Sequence, residues 1–163
     1  MSQRTLPGLL VFIVALLFPP FIAAQEQGEQ PASPAFQKFD PTRDAAADIQ
    51  TAITEATHTH RRILLDVGGE WCIWCRRLDS LYASHKNLAD FLTAHYVVVK
   101  VNYSKENKNE SLLSKYPKIP GYPHYFVLKS NGELLHSQDT GALESGKGHD
   151  PAKVLAFLKK WSE

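Results

Sequence analysis

The sequence predicts an α/β domain, a mixed sheet with helices on both faces. Three observations carry that expectation. The runs 62–67 and 96–101 are almost continuously apolar, as expected of strands buried on both faces. The segments around them place apolar residues at i, i+3, i+4 and i+7, the spacing of one helix face. Ser130-Asn131-Gly132 joins two short strand-like runs as a hairpin turn, so the sheet cannot be wholly parallel.

The chain of 163 residues opens on what reads as a targeting segment. Arg4 supplies a positive start, Leu9 to Phe18 an apolar core, and Pro19-Pro20 a break before the small residues Ala23 and Ala24. Residues 1–24 are therefore expected to be a secretory signal peptide, cut after Ala24. The alternative is an uncleaved N-terminal membrane anchor, since Leu6 to Ala24 nearly reaches the ~20 apolar residues that span a bilayer. Pro7, Gly8 and the proline pair weigh against it. Residues 25–37, polar and containing Pro31 and Pro34, read as a flexible linker. Residues 38–163 remain for one domain, long enough for a single core. Eighteen Lys+Arg face seventeen Asp+Glu, and removing Arg4 with the leader equalises them. That balance excludes nucleic acid and anionic membrane surfaces as electrostatic partners. A monomer is expected.

Asp40-Pro41 has the pattern of a helix cap followed by proline at the first helical position. The helix should run to about Ala56, with Ala45, Ile49, Ala52, Ile53 and Ala56 inward. An extra strand over Phe36–Phe39 would have to be very short. Trp74, Leu78, Leu81 and Tyr82 mark a second helix, and Leu88, Phe91 and Leu92 a third. A charged loop, Lys105 to Glu110, precedes a short helix over Ser111–Tyr116. Strands follow at His124–Leu128 and Glu133–Ser137, then a flexible loop at Gly141–His149. Asp150-Pro151 repeats the capping pattern, and Val154, Phe157, Leu158 and Trp161 line the terminal helix.

The two cysteines, Cys72 and Cys75, lie where the first buried strand turns into the second helix. The first turn of a helix leaves N–H groups unpaired, and its dipole favours negative charge. Thiols in such CxxC sites ionise at roughly 3.5–7.5 against about 8.5 for a free thiol. Cys72 is thus expected to be the exposed nucleophile. Cys75, one turn on, can resolve a mixed disulfide, and the pair can cycle between dithiol and disulfide.

The chain here resembles the thioredoxin superfamily. Ile63-Leu-Leu-Asp66-Val-Gly-Gly-Glu-Trp71-Cys72-x-x-Cys75 is similar to that family's strand, buried acid and Trp-Cys-x-x-Cys site. Val97-Val-Val-Lys100 resembles the next strand, with a lysine facing the acid. Ile119-Pro-Gly-Tyr122-Pro123 resembles the loop that bears the cis-proline. The resemblance covers about Phe36 to the C-terminus. It implies that Asp66 assists proton transfer at Cys75 and that Lys100 tunes Asp66. It also implies that Trp71 packs at the site and that the Tyr122 backbone, set by cis-Pro123, pairs with an extended substrate. Trp74 departs from the family's Gly-Pro between the cysteines and could, with Ile73, present an apolar surface to substrate.

The expected function is an exported thiol–disulfide oxidoreductase, periplasmic in a bacterium, that reduces protein disulfides through Cys72 and Cys75. A thiol-redox donor or acceptor must reset it, with a membrane-bound carrier as a candidate. No cofactor and no metal are expected. A disulfide oxidase or isomerase is the alternative within the class. A metal-handling or binding module is the alternative outside it, because His124 follows Pro123 and His58 and His60 form an HxH pair. A purely structural disulfide reads poorly, since so short a loop constrains the unfolded chain little.

Overall fold

The computed structural model describes residues 37–162, together with Met1. Apart from Met1, the expected leader and all but the last residue of the linker lie outside the described residues. In order come α1 (Ala45–Thr59), β1 (Arg62–Gly68), α2 (Ile73–Ser84), α3 (Lys86–His95), β2 (Tyr96–Asn102) and α4 (Glu110–Leu113). They are followed by β3 (His124–Leu128), β4 (Leu134–Asp139), β5 (Glu144–Ser145), β6 (Gly148–His149) and α5 (Pro151–Trp161). The main sheet has the order β2-β1-β3-β4. The β1–β2 pair is parallel, while β3 runs antiparallel to both β1 and β4. The mixed sheet is as expected.

Side chains alternate across a strand, and here the alternation divides the interior. Ile63, Leu65 and Val67 of β1, with Val97, Val99, Val101, Phe126 and Leu128, pack under α1. Leu64, Val98, Tyr125 and Val127 face the opposite side, under α2, α3 and α5. Burying each large apolar side chain contributes roughly 1.5–3 kcal/mol. The Tyr96 hydroxyl donates to the Leu158 carbonyl at 2.7 Å, tying β2 to α5. Asp66 and Lys100 fall on the α2 side, in register as neighbours.

Several boundaries differ from expectation for visible reasons. Asp40 does not cap α1. Its carboxylate accepts from the Thr42 N–H and hydroxyl in a local turn, and Asp44, four residues later, accepts from Ala46 and Ala47 as the N-cap. The helix continues to Thr59 and closes on His60 in the left-handed region, φ 56°. Residues 37–39 form no strand. Helix α4 is shorter than the 111–116 expectation, and β4 runs two residues past Ser137, the expected end of that strand. Residues 141–149 are not an unstructured loop. A 3-10 turn at Thr140–Leu143 leads into the β5–β6 hairpin, which seats His149 in the interior. Asp150 does cap α5, accepting from Ala152 and Lys153.

Candidate active site

The sheet delivers the site through the end of β1. Beyond Gly68 the chain turns through Gly69-Glu70-Trp71 and enters α2 with Cys72 as its N-cap. The Cys72 and Cys75 side chains are joined as a disulfide, and the Cys75 N–H points at Cys72 Sγ from 3.1 Å. An N–H so placed stabilises a thiolate on Cys72. The helix geometry is therefore as expected, but exposure is not. Cys72 is only 5% exposed and Cys75 2%, so accessibility scarcely separates the two. Position at the helix end does.

Two glycines make this turn possible. A Cβ on Gly68 would stand 2.6 Å from Cys75 Sγ and 3.0 Å from the Phe39 ring. One on Gly69 would meet the Trp71 indole at 2.5 Å and the Tyr103 carbonyl at 2.9 Å.

Behind the cysteines lies a buried charge cluster. Lys100 donates to Asp66 at 2.7 Å and to Asp79 at 2.5 Å, its Nζ 4.5 Å from the centre of the Phe39 ring. Burial pulls the Lys100 pKa down, but the two carboxylates outweigh it and the net shift is upward. Burial drives the Asp79 pKa up, with Lys100 opposing. The second oxygen of Asp66, Oδ1, is buried without a hydrogen-bond partner, an unusual state for a buried carboxylate. The Asp66–Lys100 contact was visible from sequence. Asp79 and Phe39 were not singled out. Asp79 carries a usable signal, since it lies one turn beyond Cys75 on α2. Phe39 carries none beyond its aromatic character. It closes the site as an N-terminal strap, held by its N–H to Glu70 at 2.9 Å.

The substrate-facing side is aromatic. Trp71, 57% exposed, donates its indole N–H to the Tyr103 carbonyl at 2.6 Å and meets Tyr122 edge-on. Tyr122 stacks on Tyr103, with centroids 4.7 Å apart. Burial pushes the Tyr122 pKa up to about 12, so its phenol stays protonated at neutral pH. The Tyr122–Pro123 peptide is cis, and the Tyr122 carbonyl lies 3.5 Å from Cys72 Sγ. Ile73 is exposed, whereas Trp74 is half-buried between the Arg77 guanidinium and the His149 ring. His124, invoked for metal handling, has its Nε2 engaged by Ser137 at 2.8 Å and its ring against Phe126. No cluster of three or more metal-ligating side chains occurs among the described residues.

A family model described as thioredoxin-like matches residues 44–130, more than half of the chain. The chain belongs to the thioredoxin-like family. It is 26% identical over 130 residues to the disulfide bond reductase DsbH of Chlamydia pneumoniae, covering 71% of this chain and 72% of that one. It is 24% identical over 124 residues to the thiol:disulfide interchange protein DsbD of Pseudomonas fluorescens, 75% of this chain but only 19% of that larger protein. Among solved structures, the disulphide isomerase from Xylella fastidiosa superposes with a TM-score of 0.65 at 27% identity. That match covers 77% of this chain and 96% of the other. Together with the disulfide at the helix terminus, these likenesses identify a thiol–disulfide oxidoreductase with a redox-active Cys72–Cys75 pair. Net reduction or oxidation of a substrate leaves that pair in the opposite redox state, and a thiol-redox partner then resets it.

Proposed function

We propose that the protein is an exported reductase of protein disulfides. The observation that carries this reading is the Cys75 N–H aimed at Cys72 Sγ, with the Asp66–Lys100–Asp79 cluster behind it. In the reduced protein the Cys72 thiolate attacks one sulfur of a client disulfide. A Cys72–client disulfide forms and the other client sulfur leaves as a thiolate. Asp66, through its unpartnered Oδ1, takes the Cys75 proton, and Lys100 holds the Asp66 carboxylate in place. The Cys75 thiolate then attacks Cys72 Sγ and releases the second client sulfur. Two electrons pass to the client, and the site is left as the disulfide. A dithiol donor, membrane-bound in our reading, returns them. The Tyr122 backbone, Pro123 and Trp71, whose ring meets Tyr122, line the client's path, with Trp74 packed between Arg77 and His149.

The direction rests on the donors around Cys72. One backbone N–H and no intervening histidine stabilise its thiolate only moderately. Strong stabilisation makes the dithiol favourable and the protein an oxidant, as near −120 mV for oxidases against about −270 mV for thioredoxin. The name of the Chlamydia relative supports the reducing direction. An isomerase is the second reading, favoured by the likeness to the Xylella protein. Export rests on residues 1–24 read as a leader, with 25–37 as a linker and 38–163 as the working domain. No helix among the described residues is long and apolar enough to cross a membrane.

The test is covalent trapping. Cys75→Ser should accumulate mixed disulfides with client proteins on non-reducing gels, and Cys72→Ser should not. Equal trapping by both variants would overturn the assignment. Equilibration against glutathione then separates reductase from oxidase or isomerase by the potential it returns.

A further inference from the structure

A second groove opens on the other flank of the CxxC helix, of about 380 Å³, between the outer face of α2 and the β5–β6 hairpin. Ile73, Arg76, Arg77, Ser80 and His149 line it. Ile73, the residue after Cys72, is 48% exposed at its mouth. Three features set it apart from an ordinary helix face.

The first is its charge. Arg76 donates to the Glu70 carbonyl at 3.2 Å, and Arg77 lies over the Trp74 ring at 4.6 Å. Neither has a carboxylate within ion-pair distance among the described residues, where the ion pairs draw on other cations. The buried carboxylates Asp66 and Asp79 are already committed to Lys100. The second is His149. It is 94% buried by residue (6% exposed), and neither ring nitrogen has a hydrogen-bond partner. A buried polar group without a partner is uncommon and costs stability unless something occupies it. The third is the hairpin itself, a glycine-containing segment that places His149 edge-on to Trp74, the residue before Cys75.

We propose that this groove docks an acidic side chain of the client protein, its carboxylate held by Arg76 and Arg77 while the client disulfide lies on Cys72. The inference rests on the protein-disulfide reading above and adds a preference to it. Arginine matches a carboxylate through two parallel N–H donors, which fixes orientation as well as charge. Ser80 and Ser84 line the same groove, but their hydroxyl protons go to the Arg76 and Ser80 carbonyls, which leaves the two arginines as its donors. The exposed Ile73 adds an apolar contact between groove and disulfide. Clients with an aspartate or glutamate close to the target cysteine are thus preferred over neutral or basic ones.

Two peptides, each with one internal disulfide and differing only by Glu or Gln beside one cysteine, provide the test. With the full-length protein, kcat/KM for the Glu peptide should exceed that for the Gln peptide roughly fivefold at low salt, about the effect of one well-formed exposed ion pair. The ratio should shrink as salt screens the pair. In the R76Q/R77Q variant it should fall to about one, and R76E/R77E should turn the preference toward a Lys-bearing peptide. Equal turnover of the two peptides by the unaltered protein, or a preference that survives R76Q/R77Q, would overturn the docking site. Reduction of neither peptide would overturn the protein-disulfide reading and the docking site with it.

Discussion

At the scale of single residues, the site depends on what is missing at position 68 as much as on what is present at 72 and 75. A methyl group there would press on Cys75 Sγ and the Phe39 ring together. Overpacking of this kind costs roughly 1–3 kcal/mol. Gly68→Ala should lower urea-unfolding stability by about that amount, and an unchanged midpoint would show that the Phe39 strap yields freely. Asp79 makes a different point. Its carboxylate is one of two that raise the Lys100 pKa. Asp79→Asn leaves more uncompensated positive charge behind the cysteines, which favours thiolate. The Cys72 thiolate, followed by absorbance near 240 nm, should then form at lower pH than in the unaltered protein, and the potential should move toward the oxidising side. No change in either would mean that solvent screens Asp79 from the sulfurs. The legible part of the site was its part in linear motifs: Asp66, Cys72, Cys75, Lys100 and Pro123. Asp79 has only its spacing one turn beyond Cys75 to mark it, and Phe39 and His149 come to the site through tertiary packing, from a strap and a hairpin that no local spacing connects.

At the scale of elements, strands and amphipathic helices were readable because burial on one or two faces imposes a period on the sequence. Strands β1, β2 and β3 fall where the apolar runs are. Ends were harder, since they depend on which of several polar side chains captures a free N–H. The same Asp-Pro pattern occurs twice with different outcomes: Asp150 caps α5, whereas Asp40 is spent on Thr42. Asp44, with no proline after it, caps α1 instead. Losing a cap costs roughly 0.5–2 kcal/mol. Asp44→Ala should destabilise the protein by about that much in thermal or urea unfolding, and Asp40→Ala by clearly less. The reverse order would return the helix start to Asp40. Residues 141–149 were misread for a related reason. Glycines mark a chain that turns, and turning chain can be as ordered as a hairpin when a residue such as His149 is drawn into the core.

At the scale of the whole molecule, the sheet separates two apolar cores and carries polar groups into each flank of the site, and this gives folding a definite acid dependence. His124 and His149 are both buried, and burial holds both pKa values below the usual 6.5. Around His124, Asp139 opposes that shift and His136 adds to it; around His149, Asp66 opposes and Arg77 adds. A base with a depressed pKa is neutral in the fold and takes up a proton more readily once unfolded. Its contribution to stability is therefore present above about pH 6.5 and is lost as pH falls through the folded-state value. Lys100 behaves oppositely: its raised pKa contributes at every pH below its ordinary value of 10.5 and is lost only in strong base. Most carboxylates titrate near 4, and Asp79, whose pKa burial raises, takes up its proton more readily in the fold and so works in the opposite sense. A net fall from about 6.5 to 5 therefore belongs to the two imidazoles. Urea-unfolding free energy of the oxidised protein should fall across that interval, by at most ~1.4 kcal/mol per pH unit for each histidine. The variant H124N/H149F, whatever its stability at pH 7, should show a flatter profile there. A profile already flat in the unaltered protein would mean that both rings accept protons in the folded state as readily as in the unfolded chain. A slope that persists in the variant would assign the acid sensitivity to other groups.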